Sequence, residues 1–227
     1  MIPLAVPNLT GREGEYLQQC IETTFVSSVG PFVTRFEEMV AETTGSSKVV
    51  AVSSGTAGLH AALAAVGVGR DDLVVLPSFT FIASANAIAY CGASPWLFDV
   101  TEESWTLDHV LLASHLAAET HQKDGSLIHK KTGRRVAAVM PVYTIGMPAD
   151  MDTIMKIARS YELPVVADGA AALGATYKGR SLGSFGSDLT VFSFNGNKTV
   201  TAGGGGAVVG EDTELVKRVH HLSTTAR

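Results

Sequence analysis

From Val49 to Gly210 the chain repeats one pattern, a short apolar run followed by a turn and a stretch of helical length. Val49 to Val52, "DLVVLP", "SPWLFDV", "RVAAVMPVY", "PVVADG", "DLTVFSF" and "GAVVG" are the apolar runs. Several carry no polar alternation, so both of their faces need cover. A strand buried on both faces belongs in a sheet with helices on each side. The intervening segments supply those helices. Thr56 to Val66 is Ala/Leu-rich and stops at Gly67, "TFIASANAIAYCG" and "ADMDTIMKIARSYEL" follow other runs, and "TLDHVLLASHLAAET" opens on a threonine or aspartate cap. The alternation predicts an α/β domain, three layers deep (αβα), with a mostly parallel sheet and right-handed crossovers.

Three segments stand outside that rhythm. "GREGEYLQQCIETTF" and "FVTRFEEMVAETTG" read as helices, the second with Val33, Phe36 and Val40 at helical spacing and Gly45 as its stop. Both, within residues 10–45, are expected to pack on the domain. "HQKDGSLIHKKTGRRV" is polar and basic, and reads as an inserted surface hairpin over 121–135 turning at Asp124-Gly125. "ELVKRVHHLSTTAR" begins as a helix and trails off without a compact ending.

Bulk properties narrow the function classes. The 227 residues, 46% hydrophobic and 17% charged, suffice for one large domain with a sizeable core. The net charge of −5 argues against a nucleic-acid or anionic-membrane surface. Cys20 and Cys91 are too few for a disulfide framework, and the seven histidines, His220 and His221 included, show no metal-ligand spacing with carboxylates. No metal is expected. The opening "MIPLAVPNLTGREGE" has no secretory signal pattern and no apolar stretch reaches membrane-spanning length, so a cytoplasmic protein is expected.

Chemistry concentrates at the expected C-terminal ends of strands, where α/β sheets place their ligands. "FSFNGNKTVTAGGGG" sets Lys198 just past a buried strand and before four glycines. Most lysines are solvated charges. One that is desolvated favours its neutral amine, which can attack a carbonyl and form a Schiff base. The glycines would let the backbone pass close to a flat group. A P-loop is excluded because Asn197 separates Gly196 from Lys198. The dinucleotide fingerprint fails because Val208 or Val209 falls where its last glycine belongs.

"VSSGTAGLH" turns from strand to helix, which makes an anion site of Thr56 and its neighbours or a plain N-cap. Asp168 ends an apolar strand, where it can pair with a cationic ligand nitrogen or cap a turn. Phe79 and Phe81 flank Thr80 and are either core or a stacking platform. Ser193, taken alone, is a strand serine that could donate to a phosphate. A phosphate cradle, an aromatic platform, a carboxylate and a Schiff-base lysine together fit pyridoxal 5′-phosphate (PLP).

The sequence resembles the DegT/DnrJ/StrS family of sugar-nucleotide aminotransferases, fold type I PLP enzymes. The likeness runs through "SSVGPFVTRFE", "SSGTAGLHAAL", "PSFTFIASANAI", "PVYTIGMPADMD", "ADGAAALGATYKGRSLGSFG" and "FSFNGNKTVTAGGGGAVV", in the family's order and over nearly the whole chain. It implies that Lys198 holds the cofactor covalently and relays protons, and that Asp168 pairs with the pyridinium nitrogen. Phe81 would stack on the ring, and Thr56, Ala57 and Ser193 would contact the phosphate.

The implied reaction moves an amino group from a donor, by resemblance L-glutamate, to a nucleotide-linked keto-sugar, for surface polysaccharide or amino-sugar biosynthesis in a homodimer. Alternatives are a non-catalytic PLP-binding or regulatory remnant and another fold type I enzyme such as a lyase. The chain departs from the family at Ala171, where Glu, Gln or His is frequent, at Tyr143, frequently His, and at Gly204, frequently Glu. The resemblance also implies a smaller C-terminal domain that these 227 residues do not include.

Overall fold

A computed structural model describes residues 2–3, 5–183 and 186–224. Ser184 and Phe185 of the "SLGSFG" stretch, and the last three residues of the C-terminal stretch, lie outside them. Helices α1 (Glu13–Thr23) and α2 (Pro31–Thr44) precede β1 (Lys48–Val52), α3 (Gly55–Ala65), β2 (Leu73–Pro77), α4 (Ile82–Tyr90), β3 (Ser94–Phe98) and α5 (His109–Glu119). Strands β4 (Thr120–Lys123) and β5 (Ser126–His129) lead to β6 (Val136–Val139), α6 (Met151–Ser160) and β7 (Val166–Asp168). Then come β8 (Thr176–Tyr177), β9 (Arg180–Ser181), β10 (Leu189–Ser193), β11 (Gly206–Gly210) and α7 (Thr213–Ser223).

The main sheet forms from two ladders, β1-β11-β10-β7 and β3-β2-β6. Parallel bridges Val139–Val165 and Val142–Asp168 join them, with Asp168 N–H donating to the Pro141 carbonyl at 2.9 Å and Tyr143 N–H to the Asp168 carbonyl at 2.9 Å. The order is therefore β1-β11-β10-β7-β6-β2-β3. Strand β11 runs antiparallel to both neighbours and the other main-sheet pairs are parallel.

Alternate residues of each strand feed two cores. Val75, Phe192, Ala207 and Val209 pack with α5 and α6 residues such as Leu112, Leu116 and Ile154. Val74, Leu76, Val191 and Val208 pack with Leu59, Leu63, Ile88, Val216 and Val219 of α3, α4 and α7. This is the three-layer arrangement expected. All residues of β2, β10 and β11 are buried, as continuous apolar runs require.

The flanking pieces differ from one another. Helix α2 docks through Val40, and Phe36 meets Phe194 edge-on at 4.9 Å. Gly45 ends it at φ +66, in the left-handed region. Helix α1 is present but buries no residue. Tyr16 ties it to α2, through the Phe32 ring at 5.4 Å and a 3.2 Å hydrogen bond from Arg35, so α1 leans on α2 rather than on the sheet.

The basic insertion is the hairpin expected, with Asp124 (φ +50) and Gly125 (φ +72) at its tip. Arg135 pins its base by a two-point pair with the buried Asp72 carboxylate, at 2.9 and 2.5 Å. The C-terminal stretch does not trail off over its described part. Asp212 caps α7, and the helix buries Val216 and Val219.

Candidate active site

Asp168 is the last residue of β7 and points to the α3–α4 side of the sheet, as Val166 does. Its carboxylate is buried. Oδ2 accepts from the Ser84 hydroxyl at 2.6 Å and Oδ1 from the Ala170 N–H at 3.0 Å. The Ser84 hydroxyl meets that of Thr80 at 2.7 Å. Burial pushes the Asp168 carboxyl above its ordinary value, while the Ser84 hydroxyl, the Ala170 N–H and the charge of Lys198 work against that rise. Gly169 follows because a Cβ there would stand 3.1 Å from Phe192 and Thr190.

Lys198 sits after β10 in a turn closed by its own N–H on the Asn195 carbonyl at 3.0 Å. It is half-buried, and its charge acts on Asp168. The strand leading to it ends at Ser193, next to β7 in the sheet, where Val191 pairs with Asp168. The structure thus brings Asp168, Lys198 and Ser193 to one end of two adjacent strands, about 4.8 Å apart.

Helix α3 starts against the same place. Ser54 caps it by accepting from the Ala57 N–H at 3.1 Å, so that N–H is already engaged. Gly55 and Thr56 open the helix, and first-turn N–H groups have no intrahelical acceptor. A Cβ on Gly55 would lie 2.9 Å from the Ser193 Cβ, so the helix start packs directly on Ser193. Gly206 is held as tightly. A Cβ there would be 2.8 Å from Gly55 N and from the Ser54 carbonyl carbon. Gly203 (φ +80) and Gly205 (φ +101) turn the chain into that contact. Two of the four glycines thus bend the chain, and Gly206 seats α3.

The aromatic pair separates. Phe79 packs edge-on against Trp105 at 5.7 Å. Phe81, 74% exposed, is the N-cap of α4 and makes no side-chain cap bond. Its carbonyl accepts from the Ser84 N–H at 3.2 Å, so Phe81 and the Asp168 partner share one helical turn.

Ser84, Thr80, Ser54 and Gly55 were given no role by sequence reasoning, and Gly206 was read only as one of four glycines beside a flat group. Ser84 left one signal, a lone hydroxyl in the first turn of an Ala-rich helix.

The three departures lie around this centre. Tyr143 is buried in the core on the α5–α6 side, across the sheet from Ser84. Its hydroxyl has no well-formed hydrogen bond, and burial pushes its pKa up, with nearby Thr190 opposing. The Ala171 carbonyl lies 3.0 Å from where a Cβ on Gly146 would stand. Gly204 is exposed.

Two other features bear on the chemistry available. A groove of about 750 Å³ between α2, α3 and α7 shares Ser53 and Ala57 with the helix start but includes neither Asp168 nor Lys198. Burial, with Asp72 adding to it, pushes the Cys91 thiol up to about 11, so it is not a nucleophile at neutral pH. Among the described residues no cluster of His, Cys, Asp and Glu is arranged to hold a metal ion.

Residues 7–227 match the DegT/DnrJ/EryC1/StrS aminotransferase family. The GDP-perosamine synthases of Caulobacter vibrioides and Escherichia coli O157:H7 are each 40% identical over 221 residues, 97% of this chain and 55% and 56% of the relative. The aminotransferase of Psychrobacter cryohalolentis superimposes with a TM-score of 0.83 at 31% identity, over 96% of this chain and 52% of that one. DesI, solved in the presence of its TDP-sugar product, gives 0.79 at 35% identity, over 92% and 48%. The chain spans about half the length of the curated relatives it matches. It belongs to the DegT/DnrJ/EryC1/StrS aminotransferase family.

Proposed function

We propose that this chain binds pyridoxal 5′-phosphate through Lys198 and is the cofactor-holding domain of an aminotransferase acting on a nucleotide-linked keto-sugar. The observation that carries the reading is the meeting of three unlike groups at one strand end. They are a desolvated carboxylate (Asp168), a lysine whose charge reaches it (Lys198), and a helix start without a resident anion (α3) packed on Ser193.

The donor set fits the cofactor. A buried carboxylate is stabilised by a cation, which a protonated ring nitrogen provides. The N–H groups of Gly55 and Thr56, the Thr56 hydroxyl and the Ser193 hydroxyl suit a phosphate. Ala57 takes part by holding the cap on Ser54. Phe81 presents an exposed ring for a flat partner. When bound, pyridoxal phosphate supplies an electron-accepting ring that stabilises negative charge at the carbon bearing the amino group. Lys198 would take a proton from that carbon as general base and deliver it, as general acid, to the aldehyde-derived carbon of the cofactor. Asp168 keeps a negative charge facing the ring nitrogen. The glycines at 205 and 206 hold the anion end and the lysine turn together.

The finer assignments rest on the relatives. Two are named as synthases of GDP-perosamine, and DesI was solved with a TDP-sugar product, which supports a nucleotide sugar as substrate. An amino acid donor, L-glutamate in this reading, follows from the reaction class, and the product would enter surface polysaccharide or amino-sugar biosynthesis. A homodimer working in the cytoplasm completes the proposal. Among the described residues no helix is long and apolar enough to cross a membrane.

Titration with pyridoxal phosphate tests the site. A visible absorbance band should form with wild type and be lost in Lys198→Ala. Equal spectra for the two would refute the lysine assignment. Incubation with L-glutamate and a nucleotide-linked keto-sugar should then yield 2-oxoglutarate. Cofactor binding without that product would support the alternative of a domain that holds the cofactor without turnover.

A further inference from the structure

We propose that Thr80 and Ser84 form a two-hydroxyl relay that holds the Asp168 carboxylate in one orientation, as the anion a cationic ring nitrogen requires, with Ser84 as its positioning residue. The inference rests on the cofactor site proposed above and adds the groups that make Asp168 usable.

Ser84 is fully buried in the first turn of α4, and Asp168 is buried at the end of β7. Their 2.6 Å separation is that of a hydroxyl donating to an ionised oxygen. The second carboxylate oxygen is held by Ala170 N–H at 3.0 Å. Donors from helix α4 and from the turn that follows β7 therefore fix both oxygens, which restricts rotation of the side chain.

Proton bookkeeping gives the relay a direction. Ser84 has one hydroxyl hydrogen and two lone pairs. With Asp168 ionised, that hydrogen must point to Oδ2, so the 2.7 Å contact with Thr80 is made by the Thr80 hydroxyl donating to Ser84. The chain then reads Thr80 to Ser84 to Asp168, and each link is short. With Asp168 protonated on Oδ2 the chain must reverse. Asp168 donates to Ser84, Ser84 to Thr80, and Thr80 is left with the Phe81 carbonyl at 3.4 Å. That last contact is long for a hydroxyl donor. No heavy atom moves between the two states, which differ by the one proton that Asp168 gains or releases. The polarity ending at Asp168 has the better bonds, so the relay favours the anion against the cost of burial. The charge of Lys198 acts in the same direction.

The experiment is equilibrium titration of the whole chain with pyridoxal phosphate, read by absorbance and by protein fluorescence. It compares wild type, Ser84→Ala, Ser84→Thr, Thr80→Val, Asp168→Asn and the Ser84→Ala/Asp168→Asn double variant. Near-ultraviolet circular dichroism checks each fold. Losing a hydrogen bond to a charged group should weaken binding about 10- to 100-fold in Ser84→Ala, and Thr80→Val should lose less. Ser84→Thr, which keeps the hydroxyl, should bind more tightly than Ser84→Ala. The loss caused by Ser84→Ala should shrink at least about threefold in the Asp168→Asn background, because the two groups act as a unit.

Ser84→Ala binding as wild type does would overturn the relay. So would a loss of equal size in both backgrounds, which would make Ser84 a packing residue. Wild type showing no saturable binding would instead refute the cofactor site, and the relay with it.

Discussion

Helices α3 and α7 both begin beside β-strands, yet they are capped by different chemistry. Asp212 caps α7 with its carboxylate, accepting from the N–H groups of Glu214 and Leu215 at 2.8 and 3.0 Å. Asp108 and Asp150 do the same for α5 and α6. Each aspartate supplies a hydrogen-bond acceptor and a countercharge for the positive helix end. Ser54 gives α3 only the acceptor, and neither α3 nor α4 has an acidic residue in its first turn. Helices α5, α6 and α7 thus carry their own countercharge, while α3 and α4 at the candidate site, like α2 behind its Gly30 cap, have neither a carboxylate cap nor an acidic first turn. The difference cannot be traced to propensity alone, since aspartate and serine are comparable N-caps. In the proposed reading, a phosphate at α3 takes over the role of the missing carboxylate.

That contrast can be broken at several points, beginning with the largest effect. Gly206→Ala would push a methyl group into the backbone of Ser54 and Gly55, which cannot swing aside. We expect melting temperature to fall by the equivalent of about 1–3 kcal/mol, and pyridoxal phosphate binding to be lost with the displaced helix start. Ser54→Asp would give α3 the cap its neighbours have. Without cofactor its thermal stability should hold or rise, while cofactor affinity should drop about 10- to 100-fold from a fixed negative charge beside the phosphate. Calorimetry and absorbance titration on the same preparation separate the two outcomes. Asp212→Ala should do the reverse, costing about 1 kcal/mol of stability with affinity unchanged.

The smallest effect concerns pH. Burial raises the Asp168 pKa in the folded state without cofactor. Its stabilising contribution is therefore complete below the ordinary carboxylate value, near 4, and is lost as pH rises through the raised folded value. Asp168→Asn removes that loss. The variant should gain stability relative to wild type as pH increases above about 4, measured by urea denaturation at stepped pH. A constant difference across that range would show that Asp168 is not destabilised by burial.

The parts of the fold that sequence could deliver are those where local pattern and global burial agree. "LVVLP" and "LTVFS" are apolar throughout because β2 and β10 are covered on both faces. Asp124-Gly125 announced a hairpin because its turn needs two positive φ angles. The antiparallel run of β11 was not legible, since a buried strand reads alike in either direction. The β8–β9 hairpin pairs only Thr176–Ser181 and Tyr177–Arg180, too short for any periodicity. Leu17 and Ile21 give α1 an apolar stripe, yet both stay exposed among the described residues, so amphipathicity overstated its burial.

The site divides the same way. The placement of Lys198, Asp168 and Ser193 at neighbouring strand ends was legible because each closes or follows an apolar run. Ser84 was not, because its meaning comes from a carboxylate 84 positions away in sequence. Gly206 was read as freedom beside a ligand, whereas its measurable duty is to let two backbones touch.

The most direct test of Lys198 as the cofactor-bearing residue is chemical. The chain is incubated with pyridoxal phosphate, reduced with borohydride to fix any lysine-bound cofactor, digested and mapped by mass spectrometry. The cofactor mass should appear on the peptide containing Lys198, at near one per chain, and should be lost in Lys198→Ala. Label spread over surface lysines such as Lys178 and Lys217, with Lys198 unmodified, would contradict the assignment.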